Sequence, residues 1–513
     1  MNTSWFNLKQ SVTEVTSLLC ITLIISAFLG LVTFIGLQGI RYFIPSNVHL
    51  VTITYPDRDE QRYFQQETTD KETLLADINV RLVQQYSDNP AGKPTAQVTT
   101  IENVIEATTD RGERLYGTFD RLTSDTEEKL PIESLDNLLL TVNLLQSQLH
   151  DVQENQLMPI HRAIAILNER KVDRDVELYR SLKADFARWQ AYVTEVNRRL
   201  STFALVMVGA DSQPIRIALD ELDKLHFPND LTFIDKIAVF FERISNFLLE
   251  PPKQAATSGG VFPAIFGTVL MVILMAVVVS PIGVIAAIYL YEYAPENKTT
   301  MLIRIGVSNM AAVPSVVYGV FGLGFFVYTL GGSIDQLIYA EKLPSPTFGA
   351  PGLLWASLTM GLLTLPVVIV ATEEGLSRVP KGQRQGSYAL GATKLETIFR
   401  VVLPMASPGI LTGLILAVAR AAGEVAPLIL VGAVKFAPSL PVDTTFPFLH
   451  LERQFMHLGV FIYDGAFHSQ IDANSASIMF ASCMLLIFIV FALNITAIVF
   501  RSKLRERYER SLL

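Results

Sequence analysis

The sequence predicts an all-α integral membrane protein with a helical, coiled-coil-like insert between its first two spans. Three observations carry this expectation. Half of the 513 residues are hydrophobic and only 18% are charged, a balance found in membrane proteins. Six apolar runs are each long enough to cross about 30 Å of hydrocarbon, for which a helix needs about 20 residues. Between the first run and the second lies a long polar block whose apolar residues recur at heptad spacing.

After an N-terminal segment, 1–14, the first run covers 15–40 and carries no charge. It exceeds the roughly 7 to 15 apolar residues of a signal-peptide core, and no small-x-small site follows, so it predicts a retained span. The insert, 41–252, contains a Pro/Gly/Asn patch at 89–94 and ends at Pro251-Pro252. Leu135, Leu138, Val142, Leu145, Leu149 and Val152 form one heptad seam; Leu182, Phe186, Trp189, Val193, Val196, Leu200 and Phe203 form another. A turn near Met158-Pro159 would fold the two into an antiparallel hairpin. His150 and His161 lack a carboxylate or cysteine at ligand spacing and read as surface residues. Cys20 and Cys483 both lie in apolar runs, so no disulfide framework is implied.

Charge divides the chain. Residues 51–250 carry a net charge of −12 and the remainder +4. The later spans fall at about 260–291, 305–330, 350–372, 407–434 and 476–500, with Pro281, Pro314 and Pro366 expected as kinks inside three of them. Basic residues cluster at Arg378, Lys381, Arg384, Lys394 and Arg400, and again in the tail 501–513 at Arg501, Lys503, Arg505, Arg507 and Arg510. Lys/Arg excess marks the cytoplasmic side. Six spans then put both termini in the cytoplasm, and 41–252 and 435–472 outside. His450, His457 and His468, in the latter loop, read as surface residues.

The loop 373–406 contains Gln385–Pro404, which reads as a short helix, a break at Gly391 and a second helix ending at Leu403-Pro404. Leu390, Ile398, Val401 and Val402 would pack, leaving Lys394, Glu396 and Arg400 in water. Such order in a connector suits a docking surface, although a loop folded back on its own bundle would look the same. Within the fifth span, Arg420 and Glu424 stand four apart on one helical face. A mid-bilayer charge costs about 2.5 to 3.5 kcal/mol on insertion scales. They form either a self-neutralising ion pair or part of a translocation pathway. Arg before Glu is the less favoured order for such a pair, and a guanidinium suits an oxyanion. Gly92-Lys93 has Ser87 and Pro94 where a phosphate-binding loop needs Gly and Ser or Thr. Any ATP hydrolysis therefore falls to a partner chain, and no metal site, cofactor or catalytic residue is expected in this one.

Gly391, Val401, Leu403 and Pro404 match in spacing the coupling-loop motif of binding-protein-dependent ABC importer permeases, while Gln385, Gly386 and Ser387 replace its opening Glu-Ala-Ala. The stretch from Gly386 to Ala433, with GGVFPAIFGTVLMVILMAVVVSPIGVIAAIYLYEYAPE and AAVPSVVYGVFGLGFF before it, resembles the phosphate-specific permeases of the PstA type over residues 258–505. The resemblance implies a six-helix type I importer domain in a bacterial inner membrane. It implies a second, PstC-like permease, a PstB-like ATPase homodimer and a periplasmic PstS-like phosphate-binding protein as partners. It also implies that Gln385, Gly386, Ser387, Ala389, Gly391, Ala392, Leu403 and Pro404 form the ATPase-coupling loop, and that Arg420 and Glu424 match a transport-sensitive pair. The 41–252 block resembles the extended periplasmic insert of some relatives. A permease for sulfate, molybdate, phosphonate or another small oxyanion would share the loop. A transmembrane sensor would share the span, helical block and span of residues 15–291.

Overall fold

The computed structural model describes all residues except 1, 56–59, 67–73, 77, 79–94, 126–128, 170–176, 254–258, 468–472 and 511–513. The patch at 89–94, Gly92-Lys93 and His468 lie outside the described residues. The chain forms two compact units. One comprises Met1–Tyr42, Ser245–Pro252 and Gly259–Leu513; the other comprises Phe43–Ile244 and Lys253–Ser258.

Among the described residues, six helices of the first unit are long and apolar enough to cross a membrane: spans 1 to 6 at Val15–Ile40, Phe262–Tyr293, Ser315–Ile338, Leu353–Ser377, Lys394–Gly423 and Ser477–Val499. Span 4 is apolar on every side and is the hub, packed between spans 2 and 5. Its buried hydroxyls are satisfied within the helix: Ser357, Thr359 and Thr364 each donate to the carbonyl four residues back, at 2.7 to 2.9 Å. Small residues set the helix spacing. A Cβ on Gly409 would stand 2.6 Å from the Gly375 Cα, and one on Gly413 only 2.5 Å from the Ala371 Cβ, so spans 4 and 5 meet backbone to backbone. Span 1 packs against span 6, with the Phe34 and Phe480 rings edge to face at 5.8 Å.

Pro281 and Pro366 lie inside helices, but Pro314 does not. The run read as a span at 305–330 divides into a helix Lys298–Met310 and span 3, with Pro314 as the N-cap of the latter. Proline has no amide to donate and disfavours helix in the residue before it, so the helix stops there. The Tyr318 hydroxyl donates to the Met310 carbonyl at 2.6 Å and fastens the break. In the last turn of span 3, Asp335 is buried and accepts from the Thr347, Phe348 and Gly349 amides at 2.7 to 2.9 Å, which fixes the connection to span 4.

The insert corrects the all-α expectation. Among the described residues it is a mixed α/β unit with two antiparallel sheets. β1 (Val48–Thr54) lies between β2 (Gln61–Gln66) and β3 (Thr95–Thr100). The second sheet has the order β7-β6-β5-β4-β8, built from β4 (Val104–Thr109), β5 (Arg114–Thr123), β6 (Ala204–Val208), β7 (Pro214–Ala218) and β8 (Leu222–His226). The side chain of Asn229 bonds the Val48 amide and carbonyl and the Ile101 carbonyl, tying β1 to the end of β3.

Both heptad segments are helical, at Leu135–Val152 and Glu177–Leu200. There is no turn at Met158-Pro159. Helix continues through a wide turn at Gln153–Leu157 into Met158–Glu169. The seams also do not serve only each other. Val142, Leu145, Val196 and Leu200 join Ile105, Leu122, Leu205, Met207 and Leu219 in one core, so the two helices cover a sheet face. The opposite face carries Glu106, in register with Tyr116 and His226. Glu106 is buried and pairs with Arg114 at 3.7 Å and Arg243 at 3.3 Å. Burial beside this carboxylate pushes the Tyr116 hydroxyl up to about 12, and burial holds His226 below the usual histidine range.

Candidate functional site

Span 4 ends at Ser377, and Pro380 caps a new helix, Lys381–Ala389. Gly391 has φ of +86°, a left-handed conformation that suits glycine. Thr393 then opens Lys394–Thr397 through a capping box: its side chain accepts from the Glu396 amide while the Glu396 carboxylate accepts from the Thr393 amide. The Ser387 and Thr397 hydroxyls meet at 2.9 Å across the turn. A wide π turn, Ile398–Val402, leads into Leu403–Gly423. The expected end of the second helix at Leu403-Pro404 is thus not an end: Pro404 follows the wide turn directly and the helix runs on through it to Gly423.

Ile398 and Val402 are buried and Val401 is half-buried, while Lys394, Glu396 and Arg400 are exposed. Leu390, expected to pack, is 90% exposed. With Tyr388, Leu395 and Phe399, also exposed, it gives the loop an apolar tip. Gln385, Gly386, Ala389 and Gly391 are exposed around that tip; Ser387, Ala392, Leu403 and Pro404 are half-buried. Sequence reasoning missed what holds the loop: Arg384 pairs with Glu292, at the end of span 2, at 2.7 Å.

Arg420 and Glu424 do come together, but not on one continuous helix. The helix stops at Gly423, Glu424 is extended, and Ala426–Val431 forms a separate short helix with Pro427 in its first turn. Gly423 and Pro427, the break-forming types, were the signal. The Arg420 Nε to Glu424 Oε1 distance is 3.6 Å, too long for a hydrogen bond. The Arg420 Nε is buried and makes no hydrogen bond among the described residues. A guanidinium whose carboxylate partner stands off can still donate to an anion's oxygen.

Past the short helix, Gly432 adopts φ of +141° and starts a parallel bridge, β9 (Ala433–Val434) beside β10 (Phe455–Met456). His450 and His457 are not surface residues. His450 is buried between Asp443 at 3.0 Å and Glu452 at 3.1 Å. Bonds from Thr445, then Arg453 and His450, hold the Asp443 carboxyl well below its usual range. His457 is fully buried, its Nδ1 accepting from the Gly459 amide at 3.1 Å, and burial pushes its pKa down to about 4. Among the described residues no His, Cys, Asp or Glu cluster could hold a metal ion.

Six apolar helices around a close-packed hub, a structured polar loop with an apolar tip, and a charged pair at the end of one span define a multi-pass membrane protein. Residues 280–505 match the family described as binding-protein-dependent transport system inner membrane component. The chain is 32% identical over 256 residues to the phosphate transport system permease protein PstA of Yersinia pestis, covering 50% of this chain and 76% of that one. The chain belongs to this family of inner membrane transport components, whose members are permease subunits rather than catalytic ones and carry no cofactor. It is also 39% identical over 182 residues to the phosphate transport system permease protein PstA 1 of Mycobacterium tuberculosis, covering 35% of this chain and 53% of that one. The probable phosphate transport system permease protein PstA of Methanocaldococcus jannaschii is 34% identical over 192 residues, 36% of this chain and 60% of that one. The chain thus spans a little over half the length of several relatives it matches.

Proposed function

We propose that this chain is the membrane permease subunit of an ATP-driven importer of inorganic phosphate. On this reading it forms the translocation pathway with a second permease, is driven by cytoplasmic ATPases seated on the 381–402 loop, and receives the anion from an external binding protein. Both termini and the loop are then cytoplasmic, and the insert and the 435–457 segment face outside. The observation that carries the reading is the buried Arg420 Nε, which makes no hydrogen bond among the described residues, in the last turn of span 5, a donor ready for an oxyanion. Likeness to permeases named for phosphate supports the choice of anion.

The test is uptake of labelled phosphate at low external concentration in cells with and without this chain, challenged by excess unlabelled phosphate, sulfate, molybdate or phosphonate. Loss of uptake in the deletion, with competition by phosphate alone, is expected. Competition by sulfate or molybdate instead would transfer the pathway to that anion. Arg420→Ala should lower uptake at least tenfold while the complex still assembles.

A further inference from the structure

The coupling loop is joined to span 2 by one compact device. The last turn of span 2, Tyr289–Tyr293, is π-helical and carries Tyr291, Glu292 and Tyr293 in succession. Arg384, before the Gly391 turn, pairs with the Glu292 carboxylate at 2.7 Å, donates to the Leu376 carbonyl at 2.7 Å and lies over the Tyr291 ring at 5.3 Å. Lys394, after the turn, donates to the Glu292 carbonyl and lies over the Tyr293 ring at 4.4 Å. Two cations from opposite arms of the loop therefore grip three consecutive residues of one span.

Burial separates this joint from an ordinary surface contact. The Arg384 and Glu292 side chains are only 17% and 9% exposed. The neighbouring Arg378–Glu374 pair is 3.6 Å long and exposed on both sides, a type that contributes little. Tyr291 also packs with Leu376, Val379 and Val402, where spans 4 and 5 meet the loop. The base of the loop is fastened while its tip, Leu390, stands free. A force applied at such a tip is delivered to whatever grips the base.

We propose that Glu292, with its flanking tyrosines, is a positioning residue that couples the loop to span 2, so that loop and span move as one body during transport. This rests on the importer reading above. The test uses the complete complex purified through this chain and reconstituted in vesicles, with labelled inorganic phosphate as the probe and both uptake and ATP hydrolysis measured. Unsubstituted complex should show ATP-dependent uptake; its absence overturns the importer reading and this inference with it. Given that uptake, E292Q should lower phosphate moved per ATP at least fivefold with ATP hydrolysis retained, and E292D should recover part of the loss. The double variant Y291L/Y293L should uncouple in the same way, whereas Y291F/Y293F, which keeps both ring faces, should not. An unchanged ratio of uptake to hydrolysis in both E292Q and Y291L/Y293L overturns the proposal. So does a fall in assembled complex with that ratio intact, the mark of a purely structural joint.

Discussion

The two cores of this protein are built differently. In the insert, one face of a five-stranded sheet is covered by large branched side chains, Ile105, Leu122, Leu205 and Leu219, met by Val142, Leu145 and Leu200 from two helices. In the membrane unit the core is narrow: Met271, Met275 and Met360 among Ala356, Ala417, Ala421 and Ala422, with glycines at the closest crossings. Water drives the first arrangement, since removing apolar area from it is the main stabilising term. Lipid is as apolar as leucine and supplies no such force, so the second gains from close contact and loses from any added bulk. Truncation should therefore wound the insert, and enlargement the membrane unit.

The largest effect expected is on the membrane side. A Cβ at Gly267 would come within 2.1 Å of the Met456 carbonyl oxygen, a backbone atom that cannot turn away. Gly267→Leu should remove most of the monodisperse protein recovered in detergent; recovery at the unsubstituted level would show that this crossing is looser than its geometry. Next comes Glu106→Ala, which takes the shared carboxylate away from the half-buried Arg114 and Arg243 and should cost about 3 kcal/mol. Segment-resolved hydrogen exchange should show the loss in β4, β5 and β8 and leave span 4 protected.

Leu205→Ala should cost the insert about 3 kcal/mol, the usual figure for truncating a buried leucine. The same exchange experiment checks it, and a loss under about 1 kcal/mol would mean that the sheet face closes over the cavity. The smallest effect is on pH. His457 titrates at about 4 in the fold and near 6.5 when unfolded, so the unfolded chain binds the extra proton between those values. Stability is full above about pH 6.5 and falls as the pH drops toward 4, by up to about 3 kcal/mol. Thermal unfolding of the detergent-solubilised chain at pH 7.5 and 5.0 should show the decline, and His457→Gln should flatten it.

Legibility followed the solvent. Runs such as Phe262–Tyr293 show their state in composition, because hydrocarbon admits a chain of that length as helix and as little else. The strands were missed for the opposite reason. Val48–Thr54 and Ala204–Val208 are five to seven residues long, and their β-branched content was overshadowed by the stronger heptads between Leu135 and Phe203. Those heptads did report helices. They could not report the partner, since a leucine seam fits a sheet face as well as another helix. At the site, the Gly391 turn was readable from a glycine between polar arms, and the Arg420–Glu424 proximity from spacing. The break at Gly423 was signalled by Pro427 and passed over, because the surrounding hydropathy is that of a span.

Sequence by itself determined the six apolar helices, the polar loop with its turn and the acidic insert, because each depends on local composition and period. Tertiary structure alone decided that β4 to β8 form one sheet, that His450 and His457 are buried, and that Arg384 finds Glu292 ninety-two residues away. Those outcomes depend on which surfaces meet. A side chain's burial and its partner are properties of the neighbours that folding brings to it, and spacing along the chain carries no record of them.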